Sequence, residues 1–151
     1  MTQSLVKNLI HIIFSTKNRE SFLDDTQIQG ELHAFLKGAC DKLDCSGLKV
    51  GGTGDHVHIL CHLSKNVAGA HLIKEIKRVS SIWIKSKGPA YYDFHWQSGY
   101  AYFSVSPKDV DAVVGYINNQ KKHHKTVSFR QELLGFFHKY DVEYDDRYLW
   151  D

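Results

Sequence analysis

The chain has little sulfur chemistry to offer. Its three cysteines, Cys40, Cys45 and Cys61, are odd in number and form no CxxC pair, which argues against a disulfide framework and leaves ordinary thiols. No charged-then-apolar segment opens the chain, so a reduced, cytoplasmic protein is expected. Apolar runs fall well short of the ~20 residues a membrane helix needs, which excludes a spanning helix. There is no GxxxxGK[ST] loop, and hence no sign of a nucleotide cofactor. Repeats and low-complexity linkers are absent as well. Charge is nearly balanced at +2, too mild a total to announce a nucleic-acid partner, so any such partner must be read from local clustering.

What the chain does have is a core. Of its 151 residues, 42% are hydrophobic and they are spread over the whole length, so a single domain across residues 1–151 is expected. "LVKNLIHIIFSTK" (5–17) reads as a buried strand. In "DTQIQGELHAFLKGACDKL", Ile28, Leu32, Phe35, Leu36 and Ala39 recur at helical spacing behind a cap at Asp25 or Thr26. "GLKVGGTGDHVHILCHL" gives two strands around a turn near Gly54 and Asp55. A second helix follows with Leu72, Ile76, Val79 and Trp83 on one side and Gly88-Pro89 as its stop. "HWQSGYAYFSVS" reads as a fourth strand. Ser106 and Pro107 then start a third helix running to about His124, and residues 128–140 make a last one before an acidic, aromatic, docked tail. This order predicts an α+β fold: a ferredoxin-like βαββαβ antiparallel sheet with helices on one face plus C-terminal helices, the other face being left free.

Two histidines stand inside an apolar strand. Alternation puts Val57, Ile59, Cys61 and Leu63 on a core face and His56, His58, Leu60 and His62 on the other. At the rise of a strand, His56 and His58 lie about 6.6 Å apart, close enough for both imidazoles to reach one cation, whereas His62 lies about 13 Å beyond His58. An HxH pair alone equally suits two hydrogen-bonded imidazoles on a hairpin. The third helix adds to it: Val110, Val113, Val114 and Ile117 form an apolar stripe, and Tyr116 and Gln120, four residues apart, sit together on its flank. Gly115 costs that helix about 1 kcal/mol against Ala, which is either simply tolerated or offset by something that must approach the backbone there.

Taken together, "HVH" preceded by Asp55, the "WQSGYAYFSVS" strand, the "YINNQ" helix, and the trailing "HHKTVSFRQELLGF" and "YDDRYLWD" resemble the single-tyrosine HUH transposases of small insertion sequences. That family includes domesticated relatives associated with repetitive extragenic palindromes. The resemblance implies a bacterial or archaeal, DNA-associated enzyme that recognises DNA hairpins and nicks and rejoins single-stranded DNA through a 5′-phosphotyrosine intermediate. It implies Tyr116 as nucleophile, and His56, His58 and Gln120 as ligands of a divalent ion, magnesium or manganese. Imidazole ligands suit manganese better. His123, two turns beyond Tyr116, is a candidate base.

Excision and rejoining call for two tyrosines, so a homodimer is implied, with "LIHIIF" as the edge strand that pairs across it. Lys74, Lys77, Arg78 and Lys85 gather opposite the apolar stripe of the second helix; with Lys17, Arg19, Lys121 and Lys122 they are candidate phosphate contacts. Tyr100 and Tyr102 are candidates for stacking on bases. Two other functions fit parts of the pattern: a domesticated hairpin-binding protein with little turnover, and an RNA-binding ferredoxin-like domain, which leaves HxH and YxxxQ unused.

Overall fold

The computed structural model describes residues 2–150. Its elements are β1 (Leu9–Ser15), α1 (Thr26–Lys42), β2 (Gly47–Gly52), β3 (His56–His62), α2 (Gly69–Lys85), β4 (Ala101–Val105), α3 (Val110–Asn118), α4 (Gln120–His123) and α5 (Phe129–Lys139). The four strands form one antiparallel sheet in the order β2-β3-β1-β4, the βαββαβ arrangement expected from the sequence. Asp25 caps α1 by accepting from the backbone N–H of Gln27 and Ile28, which satisfies donors the helix start leaves unpaired.

Strand alternation divides the sheet into two faces. Ile10, Ile12 and Phe14 of β1 and Val57, Ile59 and Cys61 of β3 enter the main core with Leu32 and Leu36 of α1 and Leu72, Ile73 and Ile76 of α2. All three cysteines are free and buried. The opposite face is not free, contrary to expectation. Leu9, Leu60 and Val105 meet Ile117 of α3, and Ile13, Ala101 and Phe103 meet Phe129, Leu133 and Phe137 of α5. The helices after β4 thus form a second layer, because their own apolar stripes need cover and this face supplies it.

Other boundaries differ too. β1 begins at Leu9, four residues later than read, and Leu5 is exposed. It also lies between β3 and β4, so both its edges are used and "LIHIIF" cannot be an open edge for a dimer; β2 and β4 are the outer strands. The third helix does not run unbroken to His124 but stops at Asn118 and resumes as α4 at Gln120. Gly51 lies opposite His58 in the β2–β3 register. A methyl group on it would stand 2.7 Å from Ile117 Cγ2 and 2.8 Å from the Ile117 carbonyl oxygen. Its bare backbone therefore lets α3 come down onto β2 beside His58. Gly115, by contrast, faces open space.

Candidate functional site

His56 and His58 share the face covered by α3, α4 and α5, as alternation requires, and both are buried. Asp55 Oδ1 lies 2.7 Å from His56 Nδ1. A carboxylate there favours the tautomer with its proton on Nδ1, which is the one that leaves Nε2 free to bind a cation. Nε2 lies 3.1 Å from Gln120 Oε1. His58 Nδ1 meets His11 Nε2 at 2.8 Å, and His58 Nε2 lies 2.9 Å from Glu132 Oε1.

Glu132, from α5, is the hub of the cluster. Tyr116 donates its hydroxyl proton to Glu132 Oε2 in a short hydrogen bond. Gln120 Nε2 donates to the same oxygen at 3.2 Å, and His123 and His124 Nε2 approach it at 3.2 and 3.3 Å. His124 is itself oriented by a 2.7 Å contact from Nδ1 to the Val127 carbonyl. Ligand atoms of His56, His58, His124 and Glu132 all lie within 4.8 Å of one another.

Electrostatics follow from this packing. Burial works to raise the Glu132 pKa, but hydrogen bonds from His124 and His58 outweigh it and hold the carboxyl far below the usual range. Burial lowers His58 to about 4 despite Glu132 beside it, and burial with His58 as neighbour lowers His11 to about 3. His124 goes the other way: burial opposes its charge, yet the Glu132 hydrogen bond and charge raise its pKa. Burial and the Glu132 carboxylate push the Tyr116 hydroxyl well above its ordinary value. The cluster gathers imidazole nitrogens with carboxylate and amide oxygens in a buried space, and His58 resists protonation. Nitrogen and oxygen donors so disposed fit a divalent metal ion.

The structure brings four of the residues singled out in the sequence together: His56, His58, Tyr116 and Gln120 converge, and Gln120 opens α4. His123 reaches the Tyr116 hydroxyl at 3.4 Å. Sequence reasoning missed Glu132, His124 and His11. A signal existed for two of them: His11 interrupts an apolar strand, and Glu132 sits between Phe129 and Leu133 on the apolar side of α5.

The cations are scattered. Lys74 and Arg78 are exposed and line a cleft with Trp96 and Tyr100, on the α2 side of the sheet, away from the histidines. Arg78 pairs with Glu75 at 2.9 Å. Lys77 departs from expectation: its ammonium, half-buried, points at the carbonyls of Gln97, Ser98 and Gly99 at 2.9, 3.5 and 2.7 Å. Burial lowers its pKa to about 8. With three donors so directed, it anchors the loop before β4 and has none left for a phosphate. Lys85 is part-buried near the end of α2, Lys17 and Arg19 lie in a short turn after β1, and Lys121 and Lys122 are exposed on α4. Tyr100 and Tyr102 are exposed on the α2 side, Tyr100 under Lys77 and Tyr102 with its hydroxyl against Gly69.

No curated protein matches the chain. Among solved structures, it resembles a candidate transposase from Deinococcus radiodurans R1, at 22% identity and a TM-score of 0.61, covering 80% of this chain and 96% of that one. It also resembles a REP-associated tyrosine transposase bound to a REP hairpin, at 21% identity and a TM-score of 0.54, covering 84% of this chain and 74% of that one. Likeness at such identities bears on the fold. The family model for IS200-like transposases, however, matches residues 4–120, a span that holds the whole sheet and ends on Gln120 itself, and the chain accordingly belongs to the IS200-like transposases.

Proposed function

We propose that the protein is a metal-dependent single-strand DNA nickase and strand transferase that recognises DNA hairpins and acts through a 5′-phosphotyrosine formed on Tyr116. The observation that carries this reading is the convergence of the Tyr116 hydroxyl and Gln120 on the same buried carboxylate that His58 faces. A tyrosine with a merely structural role has no need of two histidines and an amide gathered around its partner.

His56, His58 and Gln120 would hold a divalent ion, with Glu132 and His124 in reach and manganese better matched than magnesium to the imidazoles. Such an ion supplies Lewis-acid polarisation of the scissile phosphate. The Tyr116 oxygen attacks phosphorus, the bond to the 3′ oxygen breaks, and that oxygen leaves as a hydroxyl once it gains a proton. Glu132 aims the Tyr116 O–H and steadies His123. His123 Nε2 lies 3.4 Å from the Tyr116 hydroxyl, and we assign the tyrosine proton to it. Rejoining is the reverse attack by a 3′ hydroxyl, and because the phosphotyrosine conserves the bond, no nucleotide is consumed.

Two such bonds at once call for a homodimer. Lys74, Arg78, Lys85, Lys17, Arg19, Lys121 and Lys122 are assigned to phosphates of the strand or hairpin, and the work would be cytoplasmic. The hairpin held by the REP-associated neighbour supports this class of partner.

The test uses labelled single strands, each with an imperfect hairpin and randomised tails, incubated with manganese. A denaturant-resistant protein–DNA band is expected from the wild type and none from Tyr116→Phe, with hairpin binding and manganese affinity retained. A band that persists in Tyr116→Phe but is lost in Tyr100→Phe or Tyr102→Phe overturns the assignment.

A further inference from the structure

Tyr116 stands between two cavities. One, of about 220 Å³, lies on the His123 and Glu132 side of its ring. The other, of about 630 Å³, opens between α3 and α5 over the end of β4. The larger is within the range of small-molecule sites, about 300–1,000 Å³. Tyr116, Phe136 and Lys139 border both, and the Tyr116 hydroxyl is turned toward Glu132 and His123 of the smaller one.

The larger cavity is built for a flat, partly polar group. Its aromatic wall is ordered by stacking: Phe136 and Tyr140 both lie nearly parallel to Phe103, at interplanar angles of 18° and 12°. Ser106 and Asp109, in the turn that leads into α3, also line the cavity, and neither side chain is engaged by another among the described residues. Lys139, whose ammonium lies 5.4 Å from the Tyr140 ring centre, lines it too and supplies positive charge. Aromatic planes beside hydrogen-bonding groups and a cation are what a nucleotide requires.

We infer that this cavity receives the base of a nucleotide flanking the scissile phosphate, and that Asp109 favours a base with an exocyclic amino group over thymine. The inference rests on the nicking reaction proposed above. If phosphorus must reach the Tyr116 oxygen, an adjacent base must lie within one nucleotide of it, and the larger cavity is the space there with room and an aromatic wall. A carboxylate accepts from the exocyclic amino groups of cytosine, adenine or guanine, whereas thymine has no such group and offers it only the single ring N3–H.

Two arms separate this inference from the reaction itself. In the first, wild type, Asp109→Asn and Ala112→Trp are incubated with manganese and hairpin-bearing strands with randomised tails, and the DNA in covalent adducts is sequenced. Thymine is expected to be depleted at one position beside the break, the depletion to relax in Asp109→Asn, and adduct yield to fall at least tenfold in Ala112→Trp. Ala112 is exposed, so its indole fills the cavity without entering the core.

The second arm needs no chemistry. 2-Aminopurine is walked along the tail of the same strands bound to Tyr116→Phe, where quenching is expected at one position and lost when Ala112→Trp is added. Quenching without adducts in the wild type would sink the nicking reaction and leave the cavity as a base site. Adducts of wild-type yield and composition in both cavity variants, or quenching that Ala112→Trp does not remove, overturn the inference and leave the reaction standing.

Discussion

Adding one methyl group at Gly51 should separate the helix of Tyr116 from the strand of His58. Gly51 is paired with His58 across the β2–β3 ladder, and the new carbon would sit 2.7 Å from Ile117 Cγ2, where carbon atoms pack comfortably at about 3.5–4.0 Å. Since the Ile117 carbonyl is also within 2.8 Å, a rotamer change of Ile117 cannot resolve the clash and α3 must move by about 1 Å. Overpacking of that kind costs about 1–3 kcal/mol. Tyr116 precedes Ile117, so the shift moves its hydroxyl from Glu132, and a misplacement near 1 Å lowers a rate by about 100-fold. Urea unfolding measures the first effect and the yield of covalent adduct the second. Gly115→Ala is the matched control, because it meets nothing within 4 Å and should stabilise the helix by about 1 kcal/mol. If Gly51→Ala unfolds within about 0.5 kcal/mol of the wild type, the ordinary range for innocuous surface changes, the close approach does not set the position of α3.

Acid should unfold the metal-free protein through its buried imidazoles. His11 and His58, lowered by burial to about 3 and about 4, stay neutral when folded but bind protons below about 6.5 when unfolded. Their contribution is therefore full above pH 6.5 and falls by about 2 kcal/mol per histidine on going down to pH 5. Urea melts in chelator should show this, with a slope shallower by about 1.4 kcal/mol per pH unit in His11→Gln; an unchanged slope would exclude His11. Lys77→Ala should destabilise by about 2 kcal/mol, the scale of hydrogen bonds from a charged donor, and leave the salt slope of DNA binding alone, while Lys74→Ala should lower that slope by about one unit. The reverse result would return Lys77 to the phosphates. Because the Tyr116 hydroxyl contacts Glu132 of its own chain, His56→Ala and Tyr116→Phe proteins should stay inactive when mixed; recovered adduct formation would mean that the tyrosine serves a partner.

The sequence made legible whatever depends on local period. Alternation along β3 put His56 and His58 on one face, and a four-residue spacing put Gln120 beside Tyr116 even though the backbone breaks at Asn119, since one turn of offset survives a single irregular residue. What spacing cannot convey is which element crosses over a site. Glu132 is 74 residues from His58 in the chain and 2.9 Å away in space, and only the docking of Phe129, Leu133 and Phe137 onto Ile13, Ala101 and Phe103 brings them together.

The same docking explains why the expectation of an open sheet face failed. α5 has eleven residues, too few to hold as an isolated helix, so its apolar stripe must find cover, and the uncovered half of the sheet beside the histidines supplies it. The carboxylate that α5 carries into that interface is tolerated there only because imidazoles, an amide and a phenol already wait for it. A charged residue between Phe129 and Leu133, on the buried side of a short helix, was thus the trace of the site within the sequence. It could be recognised as a misfit, but its partners could not be named until the helix had a place to lie.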